Sequence, residues 1–223
     1  PRQAGLTPDS MAGSLPSEAI RPGDLMESLN HTFFLWLNAP EHPSALALTL
    51  ATFFAEQLIW AVPLLIGIGW LRGGEPTRKT MLVASASGLL GLLINQIIGL
   101  AWLHPRPFMI GLGHTLIPHV ADSSFPSDHL TLWWAVAFSL ALQRGPRIAG
   151  VTLALLGVPI AWARIYLGVH FPFDMLGAIA VAAICAWLTL REAHWYLLPS
   201  YQLSTGIHRR LFSGLIALGW VRE

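Results

Sequence analysis

The chain has 223 residues, of which 54% are hydrophobic and only 11% are charged, and its mean hydropathy is +0.56. A soluble domain is about 25% charged, so this composition excludes an ordinary soluble protein and indicates an integral membrane protein. The net charge of +1 gives no reason to expect a nucleic-acid partner, and the single cysteine, Cys185, excludes an intrachain disulfide.

Five long apolar segments follow one another along the chain. They lie at about 44–70, 80–103, 127–142, 147–166 and 173–190. Because a transmembrane helix needs about 20 residues, we expect an all-α membrane bundle of five transmembrane helices. The third segment is the shortest, and its helix is expected to begin near Phe125.

Two further stretches are amphipathic. Residues 24–38 place Leu25, Leu29, Phe33 and Trp36 at helical spacing, but fifteen residues extend only about 22 Å as a helix. We therefore predict an interfacial helix, with a sixth span as the alternative. A similar amphipathic stretch lies near the C-terminus. We therefore predict that the chain has three regions: a flexible lead-in (1–23), a membrane domain (24–194) and an amphipathic cytoplasmic segment (195–223).

Basic residues indicate the orientation of the spans. They cluster in two loops and in the C-terminal tail, at Arg72, Arg78, Lys79, Arg144, Arg147, Arg191, Arg209 and Arg210. With five spans all of these fall on one side, which the positive-inside rule makes cytoplasmic. The loop 104–125 and the turn 167–172 then lie on the outer side.

Three polar motifs meet at that outer side. They are HPRPF (104–108), FPSDH (125–129) and ARIYLGVHFPFD (163–174). In the second, Ser127 suits the N-cap of a membrane helix, whose exposed amides form an anion site. His129 in the first turn could hold a proton beside that anion. The alternative is a plain helix cap with an exposed histidine.

Charged side chains in the other two motifs extend this interpretation. Arg106 and Arg164 lie where apolar helices reach the outer interface, and two guanidinium groups can clamp phosphate oxygens; alternatively they extend to lipid headgroups. Asp174 lies four residues after His170 and can fix its tautomer, leaving one ring nitrogen as a nucleophile. The alternative is a helix-starting aspartate beside an interfacial histidine.

Together these residue types suggest one reaction. The arginines and the helix N-terminus hold a phosphoryl group, His170 attacks phosphorus, His129 protonates the leaving oxygen and water hydrolyses the phosphohistidine. Such a scheme requires no metal and no cofactor.

The motifs resemble those of a known family. RP, PSDH and the R-x5-H-x3-D pattern resemble the type 2 phosphatidic acid phosphatase superfamily. The longer stretches LIPHVADSSFPSDH and YLGVHFPFDMLG are similar in particular to its bacitracin-resistance type of undecaprenyl-diphosphatase. The resemblance covers about 44–190 and implies a helical membrane fold with the site at the outer leaflet.

The resemblance also implies roles for individual residues. His170 is the nucleophile, Asp174 orients it and His129 is the acid for the leaving group. The implied phosphate ligands are Arg106, Ser127 and Arg164. Two positions depart from the wider superfamily, which usually has lysine where Gly99 stands and glycine where Asp128 stands, and the bacitracin-resistance branch shares both departures. Asp128 adds negative charge beside an anion site but favours a helix start.

Several other polar residues are candidates. Glu56 lies near the middle of the first span, where an ionisable residue is a functional candidate, and Asn95 and Gln96 are immersed in the second. We count Glu56, Asn95 and Asp128 among the candidate substrate-binding residues; interhelical hydrogen bonding is the alternative for the amides. The outer loop carries His104, His114 and His119, whose spacing matches no common zinc site. We expect this loop to cover the site and contact the headgroup.

Three functions are compatible with these observations. The first is hydrolysis of undecaprenyl diphosphate to the monophosphate at the outer face of the bacterial inner membrane, which recycles a cell-wall lipid carrier. The second is the same chemistry on phosphatidylglycerophosphate, phosphatidate or a lipid A phosphate. The third is binding or transport of a phosphorylated lipid carrier. The oligomeric state stays open.

Overall fold

The computed structural model describes residues 22–222, and over this range the chain is helical without strands. The helices are α1 (Pro22–Leu37), α2 (Ala45–Thr52), α3 (Ala61–Arg72), α4 (Glu75–Ala101), α5 (Asp128–Ala141), α6 (Arg147–Tyr166), α7 (Pro172–Arg191), α8 (Ala193–Leu211) and α9 (Ser213–Ala217). The expected all-α class is confirmed. The expected lead-in over 1–23 lies almost wholly outside the described residues, and the region boundaries stay predictions.

Within residues 22–222, four helical stretches are long and apolar enough to cross a membrane. They are Ala45–Arg72, Glu75–Ala101, Arg147–Tyr166 and Pro172–Arg191. These stretches coincide with four of the five predicted spans, and the chain is therefore a multi-pass membrane protein. Helix α1, which covers the stretch considered as a sixth span, is not among them.

Helix α5 corresponds to the remaining predicted span and differs from the expectation in length. It has 14 residues, which extend about 21 Å. Residues along its whole length, from Leu130 through Trp133 to Leu140, are buried, and it packs against α4, α6 and α7. Because protein rather than lipid surrounds it, α5 does not have to match the thickness of the bilayer.

Small residues allow α5 and α6 to approach closely. A side chain at Gly157 would collide with the indole of Trp134. At this contact the Nε1–H of Trp134 donates to the carbonyl of Ala154 at 3.0 Å, and that of Trp133 donates to the carbonyl of Leu153 at 2.6 Å. Buried indole groups are thereby satisfied by backbone groups of the neighbouring helix.

The first span is irregular. Between α2 and α3 the chain forms a π-helical turn, Phe53–Gln57, followed by a 3₁₀ turn, Leu58–Trp60. Pro63 follows directly, and a proline removes one helical hydrogen bond and clashes with the carbonyl four residues earlier. Glu56 lies inside the π-helical turn, a type of distortion that is frequent at functional sites.

Helix α1 lies over the end of the bundle at which α6 ends and α7 begins. The Asn30 side-chain oxygen accepts the N–H of Phe173 at 3.0 Å, in the first turn of α7. Phe34 packs against Phe171 with ring centres 5.3 Å apart. The basic residues at the start of α4 and in the α5–α6 link lie at the opposite end of the bundle, as the predicted chain topology requires.

Candidate active site

A buried histidine–aspartate pair occupies the turn between α6 and α7. His170 is 1% exposed, and its Nδ1 lies 3.1 Å from Oδ2 of Asp174. The same oxygen accepts the N–H of Phe171 at 2.8 Å and the hydroxyl of Ser124. Because a carboxylate only accepts hydrogen bonds, Nδ1 of His170 carries the hydrogen and Nε2 keeps a lone pair. This is the geometry expected from the spacing of the two residues.

Two buried arginines face that lone pair. Nε2 of His170 lies 3.1 Å from a terminal nitrogen of Arg106 and 3.4 Å from one of Arg164. Arg106 also donates to the carbonyl of Val169 at 2.9 Å and to the carboxylate of Asp122 at 2.8 Å. Among the described residues, Nε of Arg164 is buried without a hydrogen-bond partner. The two guanidinium groups thus converge directly in front of Nε2 of His170.

Burial and the neighbouring charges keep the His170 ring neutral. Burial lowers the pKa of His170 well below its usual value of 6.5, and the positive charges of Arg164 and Arg106 lower it further. A neutral imidazole with a free lone pair is the nucleophilic form. The surroundings that would bind an anion therefore also maintain the reactive protonation state.

The start of α5 forms the third side of the site. Ser127 is the N-cap residue, as expected, but its side chain makes no capping hydrogen bond. Its hydroxyl is buried and has no partner among the residues that the structure describes. His129 lies in the first turn of the same helix, close enough to interact electrostatically with Arg164, His119 and Arg106. A buried hydroxyl and a helix N-terminus next to two arginines suit a phosphate group.

The predicted ligands Asp128 and Asn95 contact each other. The side-chain amide of Asn95 donates to Asp128 at 2.8 Å, and that of Gln96 donates to the other carboxylate oxygen at 3.3 Å. All three side chains line a cavity of about 220 Å³ beside the site, together with Gly99. Contact between Asp128 or Asn95 and a substrate stays a prediction, because in this structure their polar atoms bond to each other.

Glu56 faces α6 from the first span. Its carboxylate interacts electrostatically with Arg164. Contact between Glu56 and a substrate stays a prediction; in this structure its carboxylate is a charge partner of Arg164 at longer range.

The structure adds residues that the motifs did not indicate. Ser124 bonds to Asp174 and lies 3.4 Å from Nδ1 of His170, and Asp122 pairs with Arg106. Both lie in the irregular segment before Pro126, where no periodicity predicts which side chains face inward. Of the outer-loop histidines, His119 reaches the site, whereas His104 approaches Glu27 of α1, with 3.5 Å between Nε2 and Oε2.

The fold and the site define a class of multi-pass helical membrane proteins with a histidine–arginine anion site at one end. Within this class, the sequence profile of the PAP2 superfamily matches residues 80–197, and the chain belongs to that superfamily. The match includes α5, α6, α7 and all three motifs, so the expected family is confirmed.

Individual proteins resemble the chain over most of its length. Undecaprenyl-diphosphatase BcrC of Bacillus subtilis (strain 168) is 38% identical, over 84% of this chain and 95% of that protein. YbjG of Escherichia coli (strain K12) is 34% identical, over 89% of this chain and 100% of that protein. The crystal structure of Aquifex aeolicus LpxE has a TM-score of 0.57 at 24% identity and covers 73% of this chain and 95% of that one, which shows a shared fold.

Proposed function

We propose that the protein hydrolyses undecaprenyl diphosphate to undecaprenyl phosphate and inorganic phosphate. The observation that carries this proposal is the lone pair of His170 Nε2, which faces Arg106 and Arg164 while Asp174 holds the opposite ring nitrogen. The similarity to undecaprenyl-diphosphatase BcrC supports the choice of lipid.

The reaction proceeds in two steps. His170 Nε2 attacks the terminal phosphorus, and the bond between that phosphorus and the bridging oxygen breaks, so the lipid monophosphate leaves. The positive charge on the phosphorylated ring is stabilised by Asp174 through Nδ1–H. Water then attacks the phosphohistidine, His129 accepts a proton from this water, and phosphate is released while His170 regains its lone pair.

The other groups stabilise the transferred phosphoryl. Arg106, Arg164 and the Ser127 hydroxyl donate to its equatorial oxygens, and preorganised donors of this kind are worth about 10²–10³-fold each in rate. The leaving group is a phosphate monoester rather than an alkoxide, so His129 has less protonation to perform in the first step. In this scheme no step depends on a metal ion.

The position of the basic residues supports an orientation. Arg78, Lys79, Arg144 and Arg147 lie at the end of the bundle opposite His170, and under the positive-inside rule this supports an active site at the outer face of the bacterial inner membrane. There the enzyme would recycle the lipid carrier of cell-wall synthesis. Removal of the diphosphate would also confer tolerance to bacitracin, which binds that lipid.

The test is phosphate release from undecaprenyl diphosphate by purified protein in detergent with EDTA present. The wild type should release phosphate and form an acid-labile, base-stable phosphoprotein, and His170→Ala should do neither. His114→Ala is the matched control, because His114 is held through its backbone N–H and carbonyl, which bond to Asn38, and the variant should behave like the wild type.

Other outcomes separate the alternatives. Release from phosphatidylglycerophosphate or phosphatidate but not from undecaprenyl diphosphate would reject the lipid and keep the chemistry. Equal release by His170→Ala and the wild type would reject the mechanism. A lipid carrier that crosses vesicle membranes equally well with His170→Ala, without hydrolysis by either protein, would favour transport.

A further inference from the structure

The outer loop brings a third histidine into the site. Nε2 of His119 lies 2.9 Å from a terminal nitrogen of Arg164, the same nitrogen that lies 3.4 Å from Nε2 of His170. Nδ1 of His119 lies 3.1 Å from the carbonyl of Val120. Nδ1 therefore carries the hydrogen and donates it, and Nε2 accepts from Arg164. One arginine nitrogen thus links His119 to the nucleophile.

Contacts with the bundle hold this loop in place. The side chain of Asn38 donates to the carbonyl of His114 at 2.9 Å and accepts its N–H at 2.7 Å. The N–H of Leu116 donates to the carbonyl of Leu167 at 3.1 Å, and Ile117 is buried against Leu167 and Val169. These contacts flank His119 on its N-terminal side, so its place beside Arg164 is built into the fold.

His119 is well placed to receive an anion. The pKa of the His119 ring is lowered overall. Burial is the main cause, and the charges of Arg106 and Arg164 act in the same direction, whereas the Val120 carbonyl and Asp122 raise the pKa. His129 and His170 are the other titratable groups that interact with it. A phosphate that occupies the arginines brings negative charge to the ring and favours its protonated form, which donates from Nε2 as well.

The proposed reaction leaves one group of the substrate without a partner. Arg106, Arg164, Ser127 and the amides of α5 surround the phosphoryl that His170 accepts, but a diphosphate carries a second phosphate that departs with the lipid. This phosphate needs a cationic donor next to the first site. His119 lies at that position. Its ring centre is 6.2 Å from that of His170, and one terminal nitrogen of Arg164 lies close to both rings.

We infer that His119 binds the non-transferred phosphate and determines the preference for a lipid diphosphate over a lipid monophosphate. This inference rests on the proposed function. No step of the proposed mechanism uses His119, whose ring contacts Arg164 and the carbonyl of Val120.

The experiment compares two substrates that share one lipid tail, farnesyl diphosphate and farnesyl monophosphate, in the same detergent. The kcat/KM for the diphosphate is divided by the kcat/KM for the monophosphate. This ratio is measured for the wild type, for His119→Gln and for the control His114→Gln. Because a hydrogen bond to a charged group is lost only with the diphosphate, the ratio should fall about tenfold or more in His119→Gln and stay unchanged in His114→Gln. Glutamine retains an acceptor for Arg164, so the arginine keeps its contact.

The remaining outcomes are distinct. An equal loss for both substrates would mean that His119 only positions Arg164, and an unchanged ratio would mean that it does not contact the second phosphate; either result overturns the inference. A wild type that hydrolyses the monophosphate but not the diphosphate would instead overturn the proposed function. Melting temperatures of both variants should equal that of the wild type, and His119→Ala provides a second variant if His119→Gln unfolds.

Discussion

Buried arginines contact histidines at both ends of the bundle, with different consequences. At the end away from His170, Arg78 is 1% exposed, and one of its terminal nitrogens lies 3.0 Å from Nε2 of His208. It donates to the carbonyls of Trp70 at 2.9 Å and of Arg222 at 2.7 Å, and its guanidinium lies over the Trp70 ring. Trp70 in turn donates to Nδ1 of His208, so this cluster joins α3, α4, α8 and the C-terminal segment.

The cluster around His170 differs in the hydrogen bonds of its histidine and in the donors that it leaves without partners. Trp70 occupies one nitrogen of His208 and the Arg222 carbonyl accepts from the other, whereas Nε2 of His170 directs a lone pair toward two cations. Nε of Arg164 and the Ser127 hydroxyl are also buried without partners in the described part of the chain. Burial of an arginine beside a histidine therefore does not by itself identify a site; the cluster around His170 differs because its unused donors lie together beside one histidine nitrogen.

The largest effect is expected at the aspartate behind the nucleophile. Asp174→Asn should lower kcat by about 10²–10⁴-fold, because an amide no longer fixes the Nδ1–H tautomer of His170 or stabilises its positive charge. Phosphate release measured at saturating substrate tests this expectation. A loss below tenfold would contradict the assigned role.

Asp122→Asn should have a much smaller effect. Asp122 pairs with the buried Arg106, but its own side chain is 55% exposed. Because solvent screens an exposed carboxylate, the pair should contribute about 1 kcal/mol or less, and kcat/KM should change by no more than about fivefold.

The second prediction separates the two arginine clusters. Arg78→Met should lower the free energy of unfolding by about 1–3 kcal/mol, since the partly buried carbonyls of Trp70 and Arg222 lose the Arg78 donor and the Trp70 ring loses its cation. The kcat of the folded fraction should persist. Arg164→Met should instead lower kcat by about 10²-fold or more with a smaller loss of stability.

Thermal melts and turnover of the two variants, measured in the same detergent, check this contrast. A folded but inactive Arg78→Met protein, or an Arg164→Met protein that keeps full turnover, would show that the two clusters do not divide structure and function in this way.

The smallest effect concerns protonation. Because burial and Arg164 lower the pKa of His170 well below 6.5, its ring should still be neutral near pH 6.5, where an ordinary histidine is half protonated. The unfolded chain binds this proton near pH 6.5 while the folded protein does not, so the contribution of His170 to stability is present above that pH and declines as the pH falls below it.

Carbon NMR of histidine-labelled protein measures this directly, with the His170 signal assigned by its loss in His170→Gln. A signal that titrates near pH 6.5 would mean that the ring is solvated. The same spectra of Arg164→Met should show a higher pKa for His170, since one of the charges that depress it is removed.

Much of the site could be predicted because it depends on short-range geometry. His170 and Asp174 are four residues apart with Pro172 between them, and this spacing brings a first-turn carboxylate back to the preceding turn. Arg106 and Arg164 end helices of the same direction, so they had to meet at one surface. The roles of Ser124, Asp122 and His119 were not predictable in the same way, because the path of the segment 102–127 has no periodic pattern.

The amino-acid sequence alone therefore determined the membrane class, the direction of the helices and the members of the central His–Asp and arginine group, because apolar length and helical spacing are local properties. Only the tertiary structure decided that α5 is a short enclosed helix, that Asp128 bonds to Asn95 and Gln96, and that Glu56 faces Arg164. Those outcomes depend on which helices lie side by side, and on which buried polar groups find partners across them.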